Sequence, residues 1–369
     1  MMKIKRKQIL KTFSPTNIFL AVAIGVSVSI YNFFRKTQSE GTLDQLLHDI
    51  SNINITWVII AVLVLFLRDF GYIYRIRNLT QKELSWQSST YTVLLWEFAS
   101  AVTPSVVGGT AIAVFILLKE KIPFGKSLAY VMLTAILDNS YFLIVAPLIL
   151  NLAPNFSFPI IEFSHVNLLF FQDLSINIQS IFWISYTLIL AYTLFMLTGV
   201  LIAPQSIKWI LVRICSIGFL KKWQEQAIEQ GNVMILASKE LKNKKADYWR
   251  PAIFSTALIW SARYLMLNCL ISAFNPNMNF NLHMKAYGNQ VIMWIAQLLS
   301  PTPGSGGFAE IYFNSFFGEF FPTDGLDDTV GFLWRFLTSY LYLIVGAFVL
   351  RKWIRKVFFG NRNLIKFKS

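Results

Sequence analysis

Long apolar stretches decide which folds are open to this chain. A helix needs about 20 predominantly apolar residues to cross a hydrocarbon core of roughly 30 Å. Six stretches of the sequence meet this condition, near residues 16–34, 55–74, 127–150, 180–202, 251–273 and 329–350. Only 14% of the residues are charged, against about 25% in a soluble domain. The chain is therefore predicted to be a polytopic α-helical membrane protein.

The N-terminal segment has two possible interpretations. Several lysines and arginines in residues 1–11 precede the first apolar stretch, an order that also occurs in cleaved signal peptides. Further spans follow, and a clear small-residue cleavage site is missing. We therefore interpret this stretch as the first span and keep a cleaved signal peptide as the alternative.

Basic residues predict the orientation of the spans, because loops on the cytosolic side carry an excess of Lys and Arg. Of the 33 basic residues, 27 lie in segments 1–15, 75–86, 119–126, 203–250 and 351–369. Only three lie in segments 35–54, 151–179, 274–285 and 319–328. We expect the first set and both termini to be cytosolic. The formal net charge of +14 then needs no nucleic-acid partner.

Two more apolar regions, 87–118 and 284–318, do not have the length of a full span or of two spans. The first begins and ends at basic loops, so both of its ends are expected in the cytosol. Two arms of about 15 residues would each reach only about 22 Å. These lengths predict a re-entrant helical hairpin that enters from the cytosol. The second region, flanked by loops with little basic character, is predicted to enter from outside.

Both predicted hairpins contain helix-breaking residues at their centres, because proline and paired glycines interrupt helices. The predicted tips comprise Thr103, Pro104, Gly108 and Gly109 in the first hairpin, and Thr302, Pro303, Gly304, Gly306 and Gly307 in the second. Two kinked ordinary spans are the alternative. That alternative would place several basic loops on the wrong side of the membrane.

The two halves of the chain then have the same order of elements but opposite orientations in the membrane. Residues 55–150 and 251–350 each consist of a span, a hairpin and a span, entered from opposite sides, a pattern typical of transporters with a binding site near the midplane. The predicted fold is all-α, a polytopic membrane bundle of six full spans and two re-entrant helical hairpins in an inverted-topology repeat. Residues 1–369 are expected to form a single membrane domain.

The basic segment 203–250 is predicted to be a cytosolic loop. Its stretch Trp223–Leu241 is partly amphipathic, and basic amphipathic segments bind anionic lipids at the membrane surface. We therefore expect this segment to lie on the cytosolic leaflet, with docking of a protein partner as the alternative.

Charged residues inside apolar segments are costly, so they usually pair or face a cavity. Arg68 and Asp69 lie near a cytosolic end and are interpreted as a structural pair. A second set is predicted to line a substrate path or to form structural ion pairs: Glu97, Asp138, Arg263, Glu310 and Arg335. We hypothesise that three of them, Glu97, Glu310 and Arg335, line a polar groove for a lipid headgroup.

No catalytic, metal-binding or nucleotide-binding motif stands out in the sequence. Three histidines and two cysteines are scattered, and the glycine-rich run at 303–307 lacks the lysine of a phosphate-binding loop. We expect no cofactor, no metal, no catalytic residues and no enzymatic activity. Any transport is expected to be passive or driven by an ion gradient.

The run Pro301-Thr302-Pro303-Gly304-Ser305-Gly306-Gly307-Phe308-Ala309-Glu310 resembles the glycine-rich signature of the lysylphosphatidylglycerol synthase transmembrane region, or flippase-like domain, family. Thr103 to Asp138 resembles the first-half signature, and Leu333–Phe336 followed by Gly346 resembles the closing span. The resemblance implies a bacterial inner-membrane protein. Some members flip aminoacylated phospholipids. The aminoacyl-transferring members carry an additional soluble domain, for which this chain is expected to have no room.

The leading functional prediction is a flippase-like protein that moves a lipid or a lipid-linked molecule across the inner membrane. Two alternatives stay open. One is an intramembrane enzyme that modifies a lipid headgroup, with Glu97, Asp138 or Glu310 as acid or base. The other is a non-transporting partner of a separate synthase. The sequence does not decide whether the chain forms a homo-oligomer.

Overall fold

The computed structural model describes residues 42–102, 106–152, 158–159, 162–163, 176–297, 308–323 and 325–359. These residues are almost entirely helical, so the prediction of an all-α fold is confirmed. The described exception is a minimal antiparallel ladder, in which β1 (Glu162–Phe163) pairs with β2 (Ile176–Asn177).

The α-helices follow one another in the order α1 (Thr42–Ser51), α2 (Ile55–Leu79), α3 (Trp86–Val102), α4 (Val106–Lys119), α5 (Phe124–Leu152), α6 (Ile178–Leu197), α7 (Pro204–Cys215), α8 (Gln224–Leu241), α9 (Ala246–Phe274), α10 (Phe280–Gln297), α11 (Phe308–Phe317), α12 (Leu326–Arg335) and α13 (Leu341–Ile354). Wider π-helical turns follow α6 (Thr198–Ile202), α12 (Phe336–Tyr340) and α13 (Arg355–Phe359). Short 3₁₀ segments occupy Gly218–Trp223 and Gly318–Phe320.

Five continuous helical segments in the described part of the chain are long and apolar enough to cross a membrane. They are Ile55–Leu79, Phe124–Asn151, Ile178–Ile202, Ala246–Phe274 and Leu326–Val357. Each contains one of the predicted spans, so five of the six predictions are confirmed as candidate spans. The predicted span 16–34 lies outside the described residues.

Large apolar side chains face outward along these helices. Phe66, Ile253 and Phe348 are each more than half exposed. A soluble protein rarely exposes large contiguous apolar patches. On a lipid-facing surface, exposed apolar side chains are favourable, because they contact hydrocarbon and not water. The outward distribution of apolar residues therefore agrees with a multi-pass membrane protein.

Helix α2 continues beyond its predicted end at residue 74, as far as Leu79. Arg75, counted in the sequence as part of a cytosolic loop, is consequently a helical residue with only 2% of its surface exposed. The interpretation of Arg75 as a loop residue was wrong. Its charge is accepted inside the bundle because an acidic partner from another helix lies beside it.

The first predicted hairpin region contains two short helices that pack against each other, α3 and α4. Gly109 allows their close approach, since a Cβ atom there would lie 2.7 Å from Oγ of Ser100. Gly108 and Gly109 thus belong to the first turn of α4, whereas the predicted tip residues Thr103 and Pro104 lie outside the described residues.

The second predicted hairpin region likewise contains two packed helices, α10 and α11. Its predicted tip, residues 302–307, also lies outside the described part of the chain. Helices α2 and α9 form the most extensive helix pair among the described elements.

The segment between α6 and α9 forms a helical pair rather than an open loop. Proline at the start of α7 fits the first turn of a helix, where its missing N–H costs nothing. Helix α8 packs on α7 and α5 and buries Ala227, Met234 and Ala237. These apolar side chains of Trp223–Leu241 therefore pack on protein, and the location of segment 203–250 on the cytosolic leaflet stays a prediction. Trp209 and Ile217, in and just after α7, are instead more than half exposed.

Candidate functional site

A polar cavity of about 180 Å³ lies where α3, α9, α10, α11 and the closing helices α12 and α13 meet. Both predicted hairpin regions and the last candidate span contribute to it. Its lining combines charged, amide, hydroxyl and aromatic side chains: Glu97, Ser100, Ala101, Arg263, Tyr264, Gln290, Met293, Trp294, Gln297, Phe317, Trp334, Arg335, Thr338, Ser339 and Tyr342.

Three of the five residues predicted to line a substrate path meet in this cavity. Glu97 comes from α3, Arg263 from α9 and Arg335 from the end of α12. They are far apart in the sequence, and only the packing of the three helices brings them to one site. Polar side chains gathered inside an apolar bundle are costly unless they have a function or a partner.

Glu97 is half-buried and faces the cavity from α3. Its side chain forms no hydrogen bond or ion pair with any other described residue. Its charge acts on the fully buried guanidinium of Arg68. Glu97 therefore combines a partly buried carboxylate with an open side that faces the cavity.

Arg263 is also half-buried and lies over the ring of Trp260, with 5.3 Å between its Cζ atom and the ring centroid. No ion pair involves it within the described ranges. Although Arg263 and Glu97 line the same cavity, their charged atoms are more than 4.0 Å apart, the limit for a salt bridge. The cavity thus holds an acid and a base that do not neutralise each other by contact.

Two further lining residues carry buried polar atoms for which the described residues supply no hydrogen-bond partner. They are Oη of Tyr264 and Nε2 of Gln297. By contrast, the amide of Gln290 donates to the carbonyl of Tyr264 at 3.1 Å and to Oδ1 of Asn268 at 3.0 Å. Tyr264 and Gln297 were not predicted, because they carry no charge. A neutral polar residue inside an apolar stretch does not stand out in the sequence as a charged residue does.

A π-helical segment shapes the wall formed by the closing helices. It spans Phe336–Tyr340, directly after Arg335, and carries Thr338 and Ser339 into the lining. Such wide turns inside α-helices occur frequently at functional sites. Here the segment presents two hydroxyl groups to the same space as the guanidinium of Arg335.

Arg68 and Asp69 form the predicted structural pair immediately behind the cavity. Nε and Nη2 of Arg68 donate to Oδ1 of Asp69 at 3.0 Å and 2.8 Å. The hydroxyl of Tyr342 donates to Oδ2 of Asp69 at 2.5 Å, and the ring of Tyr342 lies 4.8 Å from the Arg68 guanidinium. Tyr342 itself lines the cavity, so this pair fixes one aromatic wall of the site.

Asp138 does not belong to the cavity lining. Its carboxylate accepts hydrogen bonds from Nη1 of Arg75 at 2.5 Å and from Nε1 of Trp260 at 2.9 Å. Arg75 also donates to Oγ1 of Thr256 at 3.0 Å. These contacts join α2, α5 and α9, and they satisfy Asp138 with structural partners. Glu310 lies in α11, and its side chain is outside the described residues.

The chain is similar to known membrane proteins over most of its length. A family model for the lysylphosphatidylglycerol synthase TM region matches residues 18–346. A UPF0104 membrane protein from Archaeoglobus fulgidus is 24% identical over 348 residues, which cover 89% of this chain and 94% of that protein. The match to the family model includes every residue that lines the cavity.

Proposed function

This chain belongs to the lysylphosphatidylglycerol synthase transmembrane-region family, and we propose that it moves a membrane lipid across the bilayer. The headgroup passes through the polar cavity while the acyl chains stay in the surrounding hydrocarbon. The observation that carries the proposal is the pair of charged side chains, Glu97 and Arg263, which face one cavity inside the bundle without contacting each other.

The energetic problem of lipid transfer fits this arrangement. A charged headgroup in the hydrocarbon core lacks hydrogen-bond partners, and burying it without compensation is very costly. A cavity lined by guanidinium, carboxylate, amide and hydroxyl groups replaces the lost water. The aromatic residues of the same cavity would face the less polar parts of the headgroup.

Part of this proposal is an inverted repeat that consists of α2 to α5 and of α9 to α13. Several helix contacts support it by occurring in corresponding pairs. The equivalent first helices α2 and α9 pack on each other, α3 packs on α13, and the equivalent α10 packs on α5. The pairs α3–α4 and α10–α11, as well as α4–α5 and α11–α12, also correspond. Contacts exchanged in this way are expected for two repeats around a pseudo-two-fold axis.

The proposal includes two re-entrant hairpins, one entered from the cytosol and one from outside. Helices α3 and α4 have 17 and 14 residues, which correspond to about 26 Å and 21 Å at 1.5 Å per residue. Both are shorter than the roughly 30 Å of a full crossing. A helix pair of this length that begins and ends near basic residues supports a return to the same side.

The same proposal assigns the chain to the inner membrane with cytosolic termini. Helix α7 and the following turn would lie on the cytosolic leaflet, since Trp209 and Ile217 are exposed beside Arg213, Lys221 and Lys222. Basic residues next to exposed aromatic and aliphatic groups favour an anionic lipid surface. A homo-oligomer or a separate synthase partner would be compatible with this orientation.

Reconstitution of the purified chain into vesicles tests the proposed function. A lipid with a fluorescent acyl chain is placed in both leaflets, and a membrane-impermeant quencher reports how fast inner-leaflet lipid reaches the outside. We expect the wild-type chain to accelerate this exchange. Glu97→Ala and Arg263→Ala should each slow it about tenfold or more, because each removes one of the charged groups that would replace water around the headgroup inside the cavity.

Glu83→Ala is the matched control for this experiment. Glu83 forms an exposed 2.5 Å pair with Lys126 and does not line the cavity, so this variant should exchange lipid at the wild-type rate. Substitutions of Arg335 and Glu310 by Ala extend the test to the remaining members of the hypothesised groove. Chemical conversion of a lipid by the purified chain, with no exchange, would favour an intramembrane enzyme. Inactivity of the wild-type chain in both assays would contradict the transport proposal.

A further inference from the structure

We propose that the cavity selects a compact zwitterionic headgroup, in which a phosphate and an ammonium group are separated by a short linker, as in phosphoethanolamine lipids. This inference rests on the proposed function and names the substrate class of the same site. It is argued from the charges of the lining, from the buried atoms beside them and from the size of the cavity.

The two separated charges favour a ligand that carries both signs. Arg335 also lines the cavity, but it has an interaction of its own. Glu97 and Arg263, in contrast, lie more than 4.0 Å apart and have no ion-pair partner among the described residues. A purely anionic headgroup would pair with Arg263 and be repelled by Glu97, and a purely cationic one would do the reverse. In a medium of low dielectric constant such unpaired charges are costly. A zwitterion satisfies both side chains at once.

The phosphate end is expected at Arg263. Guanidinium groups form strong charge-assisted hydrogen bonds with phosphate oxygens. Tyr264 follows Arg263 on α9, and both residues line the cavity. Oη of Tyr264 and Nε2 of Gln297 are buried donors without a partner in the described structure, and a buried donor without a partner is unfavourable. Phosphate oxygens would accept hydrogen bonds from these donors.

The ammonium end is expected at Glu97. Glu97 lines the cavity together with the aromatic rings of Tyr342, Trp294 and Trp334. Cations bind favourably over the faces of tryptophan and tyrosine rings, and more strongly where water is excluded. A carboxylate beside several aromatic rings therefore suits an ammonium group better than it suits a hydroxylated headgroup such as glycerol.

The volume of the cavity limits the size of the headgroup. A protein cavity of about 150 Å³ accommodates benzene, and a water molecule occupies about 30 Å³ in the liquid. The observed 180 Å³ therefore fits a group of roughly six to nine non-hydrogen atoms. Phosphoethanolamine lies in this range. A glycerol phosphate esterified with lysine has more than twice as many atoms and would extend beyond the space that the cavity encloses.

A binding experiment tests this inference independently of transport. Purified full-length chain in detergent is titrated with soluble glycerophosphoethanolamine, glycerophosphoglycerol and inorganic phosphate, and the unfolding temperature reports binding to the folded state. We expect glycerophosphoethanolamine to bind about tenfold more tightly than the other two. Glu97→Gln should remove this difference, whereas Glu83→Gln should preserve it.

Tyr264→Phe provides a second variant that keeps the volume of the side chain. It removes only the buried hydroxyl, so the fold should tolerate it, and we expect binding of glycerophosphoethanolamine to weaken several-fold. Equal binding of the two lipid analogues, equal binding of inorganic phosphate, or an unchanged preference in Glu97→Gln would each overturn the inference.

A transport arm separates this inference from the proposed function. Vesicles contain acyl-labelled phosphatidylethanolamine or phosphatidylglycerol, and we expect the first lipid to exchange faster. Selective binding without any exchange would support the zwitterion site and contradict the transport function. Exchange of both lipids at equal rates, together with equal binding of their headgroups, would support transport and overturn the zwitterion site.

Discussion

Buried charges in this bundle are compensated by side chains from other helices, and Arg75 is the clearest case. Its guanidinium binds both carboxylate oxygens of Asp138, at 2.5 Å and 3.2 Å. Trp260 donates to the same carboxylate from a third helix. The pair costs desolvation energy, but the loss of either partner alone would cost more, because it leaves an uncompensated charge inside the protein.

We therefore predict that Asp138→Ala lowers the free energy of unfolding by about 3–5 kcal/mol. The double variant Arg75→Met/Asp138→Leu should recover most of this loss, since it removes both charges together. Thermal or denaturant unfolding in detergent, arranged as a double-mutant cycle, measures the coupling. Glu319→Ala is the control, because it breaks an exposed 2.6 Å pair with Lys285 and should cost less than about 1 kcal/mol. A similar loss in the single and double variants would refute the assigned pairing.

The sequence identified some of the residues in the cavity but not their partners. Glu97, Arg263 and Arg335 were recognisable because a charge inside an apolar stretch is conspicuous. Arg75 was missed, since a basic residue at the end of such a stretch has the same appearance as a topological signal. Its acidic partner is 63 residues away, and nothing local in the sequence predicts a contact at that distance.

Small residues set how closely the helices approach each other. Gly346 in α13 packs against the side chain of Phe98 in α3, which is completely buried. An added methyl group at Gly346 would overlap the first side-chain atoms of Phe98. Because small residues permit close helix contacts in membranes, this position couples the first predicted hairpin region to the wall that carries Arg335.

We predict that Gly346→Ala destabilises the fold by about 1–3 kcal/mol, the usual cost of overpacking a tight interior. The unfolding temperature in detergent measures this effect. Ala347→Leu is the control, since the adjacent side chain is exposed on the outer face of the same helix and should leave the unfolding temperature nearly unchanged. A neutral Gly346→Ala would contradict the close packing of α3 and α13.

Helix positions were predictable from apolar length, whereas helix ends were not. The predicted span 251–273 corresponds to a helix that runs from Ala246 to Phe274, and the span 55–74 extends to Leu79. A prediction from hydropathy ends a span at the first charged residues. The helix itself continues past them where their side chains find partners inside the protein. The same limitation affected α8, whose amphipathic pattern did not reveal that its apolar stripe would pack on α5.

At the scale of the whole molecule, the predicted orientation in the membrane and the inverted repeat depend on each other. The basic loops predict the cytosolic side, and the paired helix contacts support two repeats of opposite orientation. If both repeats had the same orientation, the two hairpins would enter from the same side. Access from opposite sides to the two hairpin tips is therefore the property that distinguishes this architecture from a bundle of kinked spans.

Accessibility of single cysteines in intact cells measures that property. In a background of Cys215→Ser and Cys269→Ala, an impermeant thiol reagent should label Ser238→Cys only from the cytosol and Thr323→Cys only from outside. Ser105→Cys should then react from the cytosol and Ser305→Cys from outside, because each predicted tip would border a water-filled path. Labelling of Thr323→Cys from the cytosol would overturn both the orientation and the inverted repeat. Protection of both tips, with correct labelling of the two loop positions, would mean that neither tip borders an aqueous path in that state. The transport proposal would then require a second conformation in which a tip becomes accessible.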